Sequence, residues 1–142
     1  MQKLIFEEKI YTYQIDFVGH VSNIVYIQWL EHGRMHMLEK MGYPVDNLAA
    51  NDGVMPVLTE TCISYKIPLY LNNKAKIEMW VSKLNNASAI MEFRIYNEKG
   101  GLCASAQQKG LFIDRQTKRP ARISENQRKE FEKFLSEDNP AR

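Results

Sequence analysis

The feature that most limits the possible folds is one long helical pattern that lies between strand patterns. From Ile24 to about Met41, apolar side chains recur at spacings of three and four, namely Tyr26, Trp29, Leu30, Gly33, Met37 and Met41. That spacing predicts an amphipathic helix, unusually rich in apolar and aromatic residues. Ser22 or Asn23 can cap its start, and Gly42 is expected to end it.

The rest of the chain shows mainly the two-residue period of β-strands. Residues 3–12 alternate, with Leu4, Phe6 and Ile10 on one face, and further strand patterns cover residues 55–66, 74–84, 88–97 and 102–113. Turn residues separate the strands, and a capping box at Ser124 and Gln127 opens a short charged helix. This order predicts an α+β fold in which an antiparallel sheet of about five strands wraps the long helix, followed by a short C-terminal helix.

Length and composition narrow the function classes. The chain has 142 residues, which predicts one domain over residues 1–142, and its net charge of +2 argues against nucleic acid as a partner. Cys62 and Cys103 lie far apart in expected strands, so we expect two buried thiols rather than a disulfide framework or a metal site. Neither a signal peptide nor a membrane span is apparent, and the cytoplasm is the expected location.

The segment YQIDFVGHVSNIVY, residues 13–26, concentrates polar chemistry just before the helix. Asp16, Gly19, His20 and Asn23 fall within eight residues. A helix N-terminus offers unpaired N–H groups and roughly half a positive charge. Those groups can stabilise an oxyanion, a neighbouring carboxylate can act as nucleophile or base, and glycine allows a positive φ or a close approach to a ligand.

The same segment, followed by Trp29-Leu-Glu31, resembles the signature of the 4-hydroxybenzoyl-CoA thioesterase family, and the order of elements resembles the hotdog fold. The resemblance extends over nearly the whole chain, because residues 64–81 and 110–124 are similar to later segments of the family. It implies hydrolysis of an acyl thioester of coenzyme A or of an acyl-carrier protein. It also implies a homodimer or homotetramer with sites between subunits, and no cofactor apart from the coenzyme A of the substrate.

The resemblance also assigns roles to residues. Asp16 takes the part of the catalytic carboxylate, while Gly19, His20 and Asn23 position the substrate or the oxyanion. The substrate pocket is expected to include three more residues, Val21, Tyr26 and Glu31. Plant acyl-ACP thioesterases are similar at the same place, but their site asparagine falls on Val18 here, and many family members have asparagine where Ser22 stands.

Simpler roles compete with these assignments. Asp16 can serve only as a turn residue, Asn23 as a helix cap, and Glu31 can pair with Arg34 at the helical i, i+3 spacing. His32 and His36 are one helical turn apart, but no third ligand is evident, so both are interpreted as surface or interface residues and no metal site is predicted.

Two other functions remain open from the sequence. A hotdog dehydratase or hydratase acting on enoyl or hydroxyacyl thioesters would need a proton-shuttling histidine and a carboxylate, which His20 and Asp16 could supply. A non-catalytic module could instead bind acyl-CoA without hydrolysing it. Release of free thiol from an acyl-CoA distinguishes the hydrolase from both.

Overall fold

The structure, a computed structural model, describes residues 2–43 and 53–136. Strand β1 spans Leu4–Lys9, helix α1 spans Asn23–Lys40, and strands β2 to β5 span Val54–Tyr65, Lys74–Leu84, Ser88–Tyr96 and Leu102–Asp114. Helix α2 spans Glu125–Glu132. The expected element order is therefore confirmed, with most boundaries within one or two residues of the prediction. A single domain over residues 1–142 stays a prediction, because that range includes residues outside the described ones.

The strands form one five-stranded antiparallel sheet in the order β1-β3-β4-β5-β2. One side of α1 is buried through Val25, Tyr26, Trp29, Leu30, Gly33 and Met37. A side chain at Gly33 would lie 3.1 Å from the ring of Phe93, so glycine lets the helix approach the sheet closely. The hotdog arrangement predicted from the element order is therefore the observed one, although only one face of the helix is covered within the described chain.

The alternation in β3 is confirmed with one correction. Ala75, Ile77, Met79 and Val81 are all buried on the helix side. The two-residue period places Trp80 on the opposite face, with Lys76 and Glu78, yet it is only 4% exposed. The Lys3 ammonium lies 4.6 Å and the Arg94 guanidinium 5.2 Å from its ring centroid, so two cations cover this aromatic surface.

Strand β2 is an edge strand, and most of its residues are exposed on both faces. Its exposed apolar residues include Val57, Leu58 and Tyr65. Cys62 also lies in this strand and is exposed, which corrects the expectation of two buried thiols; Cys103 is buried as expected. A long edge with exposed apolar side chains is a surface that proteins usually cover.

No helix of the described residues is long and apolar enough to cross a membrane.

Candidate active site

The polar segment forms a closed loop with Asp16 at its start. A bridge between Ile15 and Val21 holds the two ends together, and the Asp16 N–H donates to the His20 carbonyl at 2.8 Å. Gly19 has a φ of +86°, and its N–H donates to the Asp16 carbonyl at 3.0 Å. The positive φ predicted as one reason for this glycine is therefore present.

The Asp16 carboxylate has one engaged oxygen and one free oxygen. Oδ1 accepts from the N–H groups of Val18 at 3.0 Å and His20 at 3.2 Å. Within the described part of the chain, nothing donates to Oδ2. The turn role and the catalytic role therefore do not exclude each other, because one oxygen shapes the loop while the other remains available.

The start of helix α1 lacks a side-chain cap. Ser22 occupies the cap position, but its side chain accepts no capping hydrogen bond, which corrects the expectation that Ser22 or Asn23 caps the helix. The Ser22 carbonyl accepts from the Val25 N–H at 2.9 Å. Among the described residues, the N–H groups of Asn23 and Ile24 have no acceptor. Free N–H groups at a helix N-terminus are suited to an anion or a developing oxyanion.

These groups meet in a cavity of about 240 Å³. Five of the residues predicted for the site line it together: Asp16, His20, Val21, Asn23 and Tyr26. Gly19, the sixth, belongs to the loop at its rim. Glu31 does not join them and lies farther along α1.

The opposite wall of the cavity was not predicted. It consists of Tyr65, Lys66, Ile67 and Pro68, at the end of β2 and just after it. The Tyr65 hydroxyl donates to the Asn23 carbonyl at 3.3 Å and thereby joins β2 to the helix start. These residues are more than 40 positions from the loop in sequence, so only the sheet topology could have placed them there.

The rings of His20 and Tyr26 define the remaining environment of the cavity. The His20 ring lies edge-on to the ring of Tyr70, with centroids 5.2 Å apart. Within the described residues, no hydrogen bond joins the His20 side chain to the Asp16 carboxylate. Burial raises the pKa of Tyr26 to about 12, and the backbone N–H of Leu69 partly offsets that effect, so the phenol is protonated at neutral pH.

Glu31 lines a second cavity of about 340 Å³ between α1, the sheet and α2. Arg34 lines it too, but the expected ion pair does not form. Arg34 donates instead to the Gln108 side chain at 2.6 Å. Burial lowers the pKa of the Arg34 guanidinium, and the charge of Glu31 opposes that effect. The two cavities share no lining residue.

The two helix histidines make contacts typical of a surface. His32 Nδ1 lies 2.6 Å from Glu8 Oε1, and the His36 ring packs against Phe6 at 5.0 Å. Among the described residues, no group of three or more His, Cys, Asp or Glu side chains could hold a metal ion.

Comparison with known proteins identifies the group to which this architecture belongs. The profile of the thioesterase-like superfamily matches residues 10–131. The chain belongs to the thioesterase-like superfamily. This confirms the resemblance that the Asp16–Tyr26 segment indicated.

Two curated relatives match most of the chain. The acyl-acyl carrier protein thioesterase ATL3 of Arabidopsis thaliana chloroplasts is 29% identical over 137 residues, which are 94% of this chain and 70% of that protein. YneP of Bacillus subtilis, named "Putative acyl-CoA thioesterase", is 26% identical over 107 residues, 75% of this chain and 77% of that one. Relatives named for both coenzyme A and carrier-protein thioesters are therefore similar to this chain.

Solved structures confirm the fold. The DHNA-CoA thioesterase of Staphylococcus aureus superposes with a TM-score of 0.77 at 24% identity, covering 86% of this chain and 81% of that one. The 1,4-dihydroxy-2-naphthoyl-CoA thioesterase of Synechocystis reaches 0.84 at 15% identity, covering 98% and 100%. At such identities the likeness is one of fold.

Proposed function

We propose that this protein hydrolyses acyl thioesters of coenzyme A or of an acyl-carrier protein, with Asp16 as the catalytic carboxylate. One observation carries the proposal: Asp16, whose Oδ2 is free, lines the same cavity as the uncapped start of α1. Thioester cleavage needs an attacking group and donors for the carbonyl oxygen, and this cavity offers both. Membership in the thioesterase-like superfamily supports the same reaction.

The chemistry uses the carboxylate in one of two ways. As a nucleophile, Asp16 Oδ2 bonds to the thioester carbon, the C–S bond breaks, and the thiolate leaves and takes up a proton. Water then hydrolyses the mixed anhydride to the product acid and the free Asp16 carboxylate. As a base, Asp16 takes a proton from a water whose oxygen bonds to the thioester carbon; the thiolate leaves and takes up a proton. In both routes the N–H groups of Asn23 and Ile24 stabilise the oxyanion.

A labelling experiment can establish the nucleophile route. In a single turnover in ¹⁸O-water, the base route places the label in the product acid, and so does the nucleophile route if water attacks the acyl carbon of the anhydride. The nucleophile route, with water attacking the aspartyl carbon of the anhydride, places it in the Asp16 carboxyl, where mass spectrometry of the peptide detects it. Thiol release from an acyl-CoA is the prior test, and a protein that binds acyl-CoA without releasing thiol would contradict the proposed hydrolysis.

The contacts of His20 favour hydrolysis over the dehydratase reaction. A dehydratase needs the imidazole and the carboxylate to move a proton between them and the substrate. Here the link between the two residues is the His20 backbone N–H, and the ring packs on Tyr70. We therefore assign His20 to loop positioning.

The exposed edge of β2 supports a dimer as the smallest stable assembly. If the β2 strands of two subunits pair antiparallel about a two-fold axis at the middle of the strand, the partner's Val57 lies opposite Cys62. Cys62 is three residues from Tyr65, so the partner's Val57 would be about 10 Å from Tyr65 along the strand. The Val57 of the same chain is eight residues from Tyr65, or about 27 Å. Because Val57 lines the second cavity, each Asp16 cavity would lie beside the second cavity of the partner subunit.

In this arrangement the second cavity receives the acyl group, and coenzyme A or the carrier protein remains outside. The cavity is lined mostly by apolar residues from α1, the strands and α2, as an acyl chain requires. Each site then needs both subunits. We propose the cytoplasm as the location of the enzyme.

A further inference from the structure

A polar chain of three side chains leads from the exposed edge strand β2, through a buried glutamine, to the second cavity. Thr61 on β2 accepts from the Gln108 amide at 3.1 Å, and the Gln108 carbonyl accepts from Arg34 at 2.6 Å. Gln108 is fully buried, Arg34 is half-buried and Thr61 is exposed, so the hydrogen bond to Arg34 is the better shielded of the two. The chain fixes one nitrogen of the guanidinium from the sheet side.

Arg34 has more donors than this chain uses. A guanidinium carries five N–H groups, and Gln108 is the one hydrogen-bond acceptor that the described residues provide. Arg34 is half-buried and lines the cavity. Arg34 is therefore a fixed cation with spare N–H donors among methionine, leucine and phenylalanine side chains. A purely hydrocarbon acyl chain would leave those donors without an acceptor, whereas a polar atom on the acyl group could accept from them.

We propose that Arg34 determines specificity by donating a hydrogen bond to a neutral oxygen on the distal part of the acyl group. The proposal rests on the proposed function. It implies a preference for acyl groups that carry a hydroxyl or keto oxygen over the matching hydrocarbon. Glu31 also lines the cavity, and its negative charge disfavours a carboxylate at that position.

The size of the cavity sets the length of the probe. Its 340 Å³ holds roughly ten non-hydrogen atoms, at about 30 Å³ each as for a liquid water molecule. An eight-carbon acyl group with one distal oxygen fits that limit. The probes are therefore octanoyl-CoA, 8-hydroxyoctanoyl-CoA and octanedioyl-CoA.

The test compares kcat/KM ratios in the wild type and in helix variants. The wild type should prefer 8-hydroxyoctanoyl-CoA over octanoyl-CoA by roughly 10-fold or more, the effect of one hydrogen bond from a charged donor. Arg34→Met should bring that ratio close to one, whatever its effect on octanoyl-CoA itself, and Arg34→Lys should give an intermediate ratio. Lys40→Met removes an exposed cation from the same helix and should leave the ratio unchanged.

Several results would overturn the proposal. A wild-type ratio near one, or a ratio that survives Arg34→Met, shows that Arg34 does not read the distal oxygen. If octanedioyl-CoA is the best substrate, the assignment to a neutral oxygen is wrong. If Arg34→Met fails to fold, the ratio measured with Arg34→Lys decides.

A binding measurement separates this proposal from the proposed function. Calorimetry with the non-hydrolysable thioether analogues of octanoyl-CoA and 8-hydroxyoctanoyl-CoA reports distal recognition without turnover. If the wild type releases no thiol but binds the hydroxylated analogue more tightly in an Arg34-dependent way, hydrolysis fails and the distal recognition stands. If the two analogues bind equally and thiol release is normal, hydrolysis stands and the distal recognition fails.

Discussion

Replacing Asp16 with asparagine tests the proposed chemistry most directly. Asparagine keeps an Oδ1 that can accept from the N–H groups of Val18 and His20, so the loop should retain its shape. The change removes the carboxylate charge and converts the free oxygen into an amide nitrogen. General-base catalysis is typically worth about 10²–10⁴ in rate, so kcat on the best acyl-CoA should fall at least roughly 100-fold, or about 3 kcal/mol of transition-state stabilisation.

The structural cost of the same change should be small. The two hydrogen bonds from Val18 and His20 would then be made to a neutral acceptor instead of a charged one. We expect this to lower the free energy of unfolding by about 1 kcal/mol. For a chain of this size that shifts Tm by roughly 2–4 °C. Binding of a non-hydrolysable acyl-CoA analogue should persist, because the helix terminus and both cavities are unchanged.

Asp114 provides a matched control. Its Oδ1 accepts from the N–H groups of Gln116 and Thr117, each at 2.8 Å, in a turn similar to that of Asp16. Asp114→Asn should therefore have a comparable effect on Tm with little change in kcat. Mass spectrometry must exclude deamidation back to aspartate, and purification must exclude a host thioesterase. If the clean, folded Asp16→Asn protein works within a few-fold of wild type, Asp16 is not the catalytic carboxylate, and Glu31 becomes the next candidate.

Three further predictions follow from the loop, the sheet edge and the buried phenol. Gly19→Val should lower kcat more than it lowers the free energy of unfolding, because its φ of +86° disfavours a side chain by about 1–2 kcal/mol. Gly100→Val, at a φ of +81°, has similar strain away from the site and should keep its activity. If Tm and kcat both collapse for Gly19→Val alone, Gly19 is a folding residue. Sedimentation should find a dimer or a larger even assembly, and a stable, active monomer at low concentration would contradict this. Because burial raises the pKa of Tyr26 from 10.0 to about 12, the unfolded chain loses this proton first as pH rises, so about 3 kcal/mol of stability should disappear between those pH values. Denaturant unfolding between those pH values should show that the free energy of unfolding declines less steeply for Tyr26→Phe than for the wild type. Equal slopes would refute the assignment of this loss to Tyr26.

The elements could be predicted from sequence because each carries its own periodicity. In β3, Ala75, Ile77 and Met79 alternate with charged residues from the first residue of the strand, whereas its last residues follow a register shift between Val81 and Lys83. The capping box at Ser124 is likewise local: its side chain accepts from the Gln127 N–H at 3.1 Å, as the residue types predicted. Contacts between residues close in sequence depend on few neighbours, so the order of residue types along the chain is enough to predict them.

The site was only half predictable for the opposite reason. Asp16, His20 and Asn23 lie in one short segment, and that segment's motif led to them. Tyr65 reaches the same cavity because the strand order places β2 at the edge and runs it back toward the helix start. Arg34 shows the same limit. Its helical spacing predicted Glu31 as its partner, whereas the observed partner is Gln108 in the sheet, 74 residues away.

The long, exposed strand β2 links the catalytic and the oligomeric parts of the proposal. One end of β2 lines the Asp16 cavity through Tyr65, and the other end lines the second cavity through Val57 and Leu58. Within one chain those ends of β2 are about 24 Å or more apart. Antiparallel pairing of two β2 edges shortens that distance and covers the exposed apolar side chains in the same step. The exposure of β2 in a single chain is therefore what a site shared between two copies requires.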